Sequence, residues 1–123
     1  MKPTILLFEF SKIQFTKLTK QLFPMKFRIK QIRSENYMQP IGFLAGIKEI
    51  EGTDTTHAGE ALSDPMMIMC GLSSFQIDQV LAAIRRSGAG PIPYKAVLTP
   101  SNQTWNAFML LEELKEEHKK MHS

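Results

Sequence analysis

The feature that most limits what this chain can fold into is a short grammar that occurs twice, 62 residues apart, once at Ser11 and again at Ser73. Each copy opens on an unbroken apolar run, TILLFEF at 4–10 and MMIMC at 66–70. Short apolar runs without alternation suit strands buried on both faces. Each run leads into a serine with a glutamine three residues on, Ser11 with Gln14 and Ser73 with Gln76. That spacing is a capping box, in which serine and glutamine satisfy N–H groups that a helix start leaves free. Phe10 with Phe15, and Leu72 with Ile77, stand where a hydrophobic staple would close the same turn. Apolar residues then recur at helical spacing: Phe15, Leu18 and Leu22 ahead of Pro24, and Ile77, Val80, Leu81 and Ile84 ahead of Gly88, the expected left-handed stop. A second strand closes each copy, the basic KFRIKQIR at 26–33 and a segment over about 94–99. The two copies agree in pattern and hardly in identity, so the repeat is one of structure.

Two segments lie outside the repeat. Between the copies, Tyr37–Ile47 is apolar enough for a short helix, and Lys48–Asp64, rich in Gly, Thr, Asp and Glu, reads as an exposed, mobile loop. After the second copy a helix is expected over about 105–118, capped by Asn102 or Thr104 and burying Ala107, Leu110, Leu111, Leu114, His118 and Met121. The expected fold is α/β: two βαβ units sharing a four-strand sheet of order 2-1-3-4, all parallel, with the C-terminal helix packed on it. That order centres the two most apolar strands. A ferredoxin-like sandwich of order 4-1-3-2 centres them as well, and needs only that residues 34–65 return to the end of the sheet they left. The chain is read as a single domain over 1–123, with a first unit at 1–34, a short helix and loop at 35–65, and a second unit with the C-terminal helix at 66–123.

Charge and composition narrow the function classes. Residues 1–50 carry nine Lys/Arg against three acids, and 51–123 carry six against nine. The cations of the first half are scattered along a helix and an edge strand and are not interleaved with exposed aromatics, so no nucleic-acid partner is expected. The longest apolar runs fall far short of the roughly 20 residues a bilayer requires, and no signal peptide is evident at the N-terminus; a cytoplasmic protein without a membrane span is expected. One cysteine, Cys70, leaves no internal disulfide.

No residue set announces catalysis, and no metal or cofactor is expected. His57, His118 and His122 lack partners at metal-ligand spacing. No nucleophile–base pair or paired carboxylates share one expected loop. Cys70 ends a strand before a capped helix, as phosphatase-like cysteines do, but GLSSFQ at 71–76 holds no arginine, and a buried structural thiol is the better reading. The eight methionines read as core filling. In a parallel sheet, Ser11, Ser73, Ser74, Thr99 and Asn102 would line a crevice at the carboxyl edge, where two helix N-termini favour a small anion or carboxylate. The competing reading is a non-enzymatic protein that binds a partner or itself. Trp105, Phe108 and Met109 lie off the main apolar face of the last helix, so the fold or a partner must cover them.

The stretches MMIMCGLSSFQIDQVLAAIRRSG, IPYKAVLTPSNQTWN and LLEELKEEHKKM, with TILLFEF and QPIGFLAGI, resemble a small domain-of-unknown-function family of clostridial and other gut Firmicutes. The resemblance rests on KAVLT, an Asn three residues after that Thr, a Trp, and a Glu-rich last helix. It implies no activity, cofactor or catalytic residue, and marks Lys95, Thr99, Asn102 and Trp105 as the positions to examine.

Overall fold

The structure, a computed structural model, describes residues 1–54 and 59–121. Both copies of the repeat form βαβ units. Strand β1 (Thr4–Phe8), helix α1 (Lys12–Leu22) and strand β2 (Arg28–Ile32) make the first. Strand β3 (Met66–Cys70), helix α3 (Ser74–Ser87) and strand β4 (Tyr94–Val97) make the second. Between them lies a short helix α2 (Ile41–Ala45), and helix α4 (Ala107–Met121) follows. Both capping boxes are formed: Gln14 N–H donates to Ser11 Oγ at 3.1 Å and Gln76 N–H to Ser73 Oγ at 3.2 Å, with each glutamine side chain returning a bond to its serine's N–H. Gly88 stops α3 at φ 73°.

The four strands stand in the expected order, β2-β1-β3-β4. Their directions differ from the all-parallel expectation. β1 pairs β2 in parallel and β3 pairs β4 in parallel, but β1 and β3 run antiparallel. The sheet thus joins the strand order of one expectation to the strand directions of the ferredoxin-like alternative, and order 4-1-3-2 is not formed. The physical reason lies in the connection. The end of β1, Phe8, pairs with the start of β3, Met66, so residues 33–65 leave and re-enter the sheet at one end and need not cross it.

The reversal also decides where the helices go. A parallel βαβ crossover is right-handed. With β2 and β4 on opposite sides of a central antiparallel pair, that rule places α1 and α3 on one face. There Leu18, Leu22, Val80, Ala83 and Ile84 pack on Ile5, Leu7, Met67 and Met69. The opposite face, with Leu6, Phe8, Met66, Ile68 and Cys70, is covered by Tyr37, α2, Leu62 and α4. Every residue of β1 and β3 is buried, as their unbroken apolar composition requires. The register makes the repeat explicit: Leu6 pairs with Ile68, its own equivalent 62 residues on, so the two units are related by an approximate dyad through that pair.

Two residues of the expected first strand, Glu9 and Phe10, are not in it. Glu9 adopts a left-handed backbone, φ 60°, and ends β1 one residue after Phe8. Its repeat equivalent is Gly71, left-handed as well at φ 72°. Glycine holds that conformation without cost, whereas a side chain costs about 1–2 kcal/mol. Glu9 uses its side chain in compensation. Its Oε2 accepts from the Tyr37 hydroxyl at 2.9 Å and from the Leu62 N–H at 3.0 Å. The connection is thereby fastened near both its ends, with the Tyr37 ring 5.8 Å from Phe8 and edge-on to Phe108 at 6.0 Å. The segment expected as a loose loop is held in further places: Gln39 exchanges two hydrogen bonds with Thr53, Leu62 is buried, and Asp64 pairs with Lys115 at 3.3 Å. Within it, 55–58, including His57, lie outside the described residues, as does His122. Replacing Glu9 by alanine should cost about 2–4 kcal/mol in denaturant unfolding, because the left-handed backbone stays while the two hydrogen bonds to its half-buried carboxylate are lost. Glu9→Gly should recover about 1 kcal/mol of that, and equal stability of the two variants would show that the backbone at this position is not strained.

Candidate functional site

The antiparallel centre of the sheet divides the expected carboxyl edge in two. Ser11 follows the end of β1, and Ser73 and Ser74 follow the end of β3, whose last residue Cys70 pairs with Thr4 at the start of β1. The two helix starts therefore stand at opposite ends of the sheet, separated by at least the length of a five-residue strand, about 13 Å at roughly 3.3 Å per residue. No crevice joins them. Ser73, Ser74, Thr99 and Asn102 share one end, since β3 and β4 finish side by side and Leu98 N–H donates to Met69 O at 2.9 Å. At that end the Ser73 hydroxyl is engaged as a helix cap.

Thr99 and Asn102 bind one another. Asn102 N–H donates to Thr99 Oγ1 at 3.1 Å, and Asn102 Oδ1 accepts from Thr99 N–H at 2.9 Å. Asn102 Nδ2 in turn donates to the Val97 carbonyl at 3.0 Å. Because Leu98 N–H points inward to β3, the Val97 carbonyl and Thr99 N–H point outward along the open edge of the sheet. In a parallel ladder, one residue of a neighbouring strand accepts from position i+1 and donates to position i−1. The Asn102 carboxamide does both, and so stands where the peptide groups of a fifth strand would be. Asn102 is only 8% exposed, and both ends of its carboxamide are engaged, which leaves little with which to hold a ligand.

The same loop carries α2. Trp105 O accepts from Ile41 N–H and Gln103 O from Gly42 N–H, both at 2.8 Å, which satisfies a helix start that Pro40 leaves without a side-chain cap. Helix α4 is capped by Asn106, whose Oδ1 accepts from Met109 N–H at 3.0 Å; neither Asn102 nor Thr104 serves, and the helix starts two residues later than expected. The Lys95 side chain turns to the α3 face with its register partner Met67, and its Nζ donates to Ile92 O. Burial holds the Lys95 ammonium below its ordinary range.

Between β4 and α4 these residues frame a groove of about 410 Å³. Ala96, Trp105, Leu110 and Leu114 give it an apolar lining, and Glu113 and Glu117, one helical turn apart, are its acids. All four positions marked by the family resemblance border it. Trp105 and Phe108 are half-buried, packed against the core, while Met109 is 52% exposed on the next helical position outward from the groove.

Cys70 does not supply a nucleophile. It is fully buried, its Sγ lies 3.9 Å from Ile68 O, and burial pushes its thiol from 9.0 up to about 12 despite the Lys30 charge. A reactive thiol needs the opposite shift. Among the described residues no three His, Cys, Asp or Glu side chains converge as a metal site would require, and no helix is long and apolar enough to cross a membrane.

The family model of a domain of unknown function, DUF3783, matches residues 65–121, the stretch that runs through β3, α3, β4 and α4 and includes the groove between the last two. No curated protein and no solved structure matches the chain.

Two measurements follow from this geometry. Asn102→Ala should lower stability by about 1–3 kcal/mol in denaturant unfolding, since it strips partners from the Val97 carbonyl and Thr99 N–H, and should make the protein associate through the unblocked edge in light scattering. Cys70 and Tyr37 are both raised by burial, first of all. A raised acid stabilises the fold below its unfolded pKa and withdraws that stability above it. These two groups should therefore make the unfolding free energy fall above about pH 8.5 by up to roughly 1.4 kcal/mol per pH unit for each proton involved, against an opposite contribution from the lowered Lys95 ammonium. Cys70→Ala should flatten the first part of that fall.

Proposed function

We propose that this chain is a non-enzymatic protein-interaction module of the cytoplasm, one folding unit over 1–123, whose contact surface is the groove between β4 and α4. The observation that carries the reading is that the polar side chains marking the groove are consumed in building it. Asn102 and Thr99 complete the strand edge, and Asn106 caps the helix beside it. Small-molecule sites rely on a few convergent polar groups left free to orient the ligand. This groove offers an apolar lining, a half-buried tryptophan and two carboxylates. A protein segment presenting an apolar side chain flanked by Lys or Arg is its complement. Exposed Met109 extends the apolar surface outward, and methionine adapts to partners of varied shape. Both a second copy of the chain and a different protein fit this description.

The alternative, a small anion or carboxylate held by Ser11, Ser73, Ser74, Thr99 and Asn102, has less to support it, because Ser11 stands at the other end of the sheet and the Ser73 and Asn102 side chains are already engaged. A photo-crosslinking residue placed at Met109, and separately at the exposed Lys17 on the opposite face, tests the proposal in living cells of the source. Adducts from position 109 and none from position 17 are expected, and their mass tells a second copy from another protein. Absence of adducts from position 109, or saturable NMR shifts at the Ser73, Ser74 and Asn102 amides on titration with phosphate or acetate, would overturn the proposal.

A further inference from the structure

The two outer strands of the sheet are finished in different ways. At β4 the Asn102 carboxamide closes the open edge, and Pro93 and Pro100 bracket the strand. At β2 no comparable side chain among the described residues closes it. Arg28 N–H donates inward to Pro3 O at 3.0 Å, so the alternation of a strand turns the peptide groups of Ile29 and Gln31 outward. Beside this edge lies a groove of about 420 Å³ lined by Phe15, Phe23, Pro24, Phe27 and Ile29, with Phe23 81% exposed.

From these facts we infer that β2 is a docking edge for an extended segment of another protein, in which apolar and acidic residues alternate, added as a fifth strand. Strand addition takes its affinity from main-chain hydrogen bonds and its specificity from alternate side chains. The two faces of β2 differ in the way such a segment would read. On the α1 face, Phe27 and Ile29 adjoin the apolar groove. On the other, Arg28 is exposed, in register with Thr4, and Lys30, in register with Leu6, adds its charge from beside the edge while its ammonium donates to Leu44 O at 2.8 Å. Alternate residues of the added strand meet apolar surface, and those between meet Arg28 and the field of Lys30. The wider surroundings carry the same sign, because residues 12–33 hold seven Lys/Arg and no acid.

The charge argues against a second copy here, since β2 against β2 would set like charges opposite one another. It also attracts nucleic acid, but outward peptide groups beside a concave phenylalanine groove give a base neither a flat stacking platform nor a reason for the alternation. The inference concerns a different face from the β4–α4 groove and stands whether or not that groove takes a partner.

The test is an NMR titration of the full chain, at physiological ionic strength, with an acetylated and amidated hexapeptide of alternating Glu and Val. Saturable shifts centred on the Ile29 and Gln31 amides are expected, together with slowed hydrogen exchange there. The Lys-Val counterpart should not bind. Phe23→Glu and Arg28→Glu, both at exposed positions, should each weaken binding by about tenfold or more while leaving the circular dichroism unchanged. The inference fails if neither variant alters affinity, if the Lys-Val peptide binds equally, if shifts centre on β4, or if single-stranded oligothymidine displaces the Glu-Val peptide from the same amides. Crosslinking at Met109 is blind to this edge, so each proposal can fail alone.

Discussion

The antiparallel pairing of β1 with β3, centred on Leu6 and Ile68, is the constraint from which the remainder of the structure follows. Each βαβ unit must cross over right-handedly. Had the two central strands been parallel, α1 and α3 would have covered opposite faces, leaving the chain between the units to travel the length of the sheet. With the centre antiparallel, both repeat helices pack side by side, and one whole face is left for residues that belong to neither copy. Tyr37, α2, Leu62 and α4 fill it. Burying a side chain of this size contributes about 1.5–3 kcal/mol, so this non-repeated layer is as much the core as the repeated one.

That second layer depends on asymmetry between units that are otherwise alike. At the position after the first strand, the repeat has Glu9 in one copy and Gly71 in the other, both left-handed. In the second copy the position is only a turn, and a Cβ there would come within 2.6 Å of Met1 Cγ. In the first, a carboxylate gathers Tyr37 and Leu62. Lys30 makes a related fastening on the same face by donating to Leu44 O at 2.8 Å, at the carbonyl end of α2. Two charged residues of the first unit thus dock the connecting segment through hydrogen bonds rather than ion pairs, whereas α4 after the second unit is held on the same face by the apolar contacts of Ala107, Leu110 and Leu111.

What the sequence made legible were the features set by local physics. The capping boxes at Ser11 and Ser73, the stop at Gly88 and the burial of both central strands each depend on residues within a few positions of one another. The central place of the two most apolar strands also followed from composition, although orders 2-1-3-4 and 4-1-3-2 both meet that condition. Strand direction did not, because it is fixed by where residues 33–65 re-enter the sheet, and no short-range signal marks that. The same re-entry separates Ser11 from Ser73, which the expectation of a shared crevice had set at one end of the sheet. Glu9 was missed although a signal existed: aligning the repeat sets it against Gly71, the one residue type for which a left-handed backbone is ordinary. Asn102 was singled out for the right loop and given the wrong task, a helix cap in place of a strand-edge cap, because the two tasks use the same side chain and differ only in tertiary placement.

An open strand edge is a hazard for any sheet protein, and covering groups or charge are the usual remedies. Here the two edges use different ones. A carboxamide makes definite hydrogen bonds and excludes every incoming strand alike at the positions it occupies. Charge excludes only what carries the same charge, and attracts what carries the opposite. An edge guarded by cations is therefore already selective, and Phe23, Pro24 and Phe27 lie in the groove beside it where solubility alone would favour polar residues. On the β4 side the barrier is the amide, and the apolar surface lies under α4, next to the closed edge and not upon it. The approximate dyad makes the two sides equivalent in backbone, so their difference lies in side chains: the first unit guards its outer strand with cations beside an apolar groove, and the second closes its outer strand with an amide and keeps its groove beneath α4.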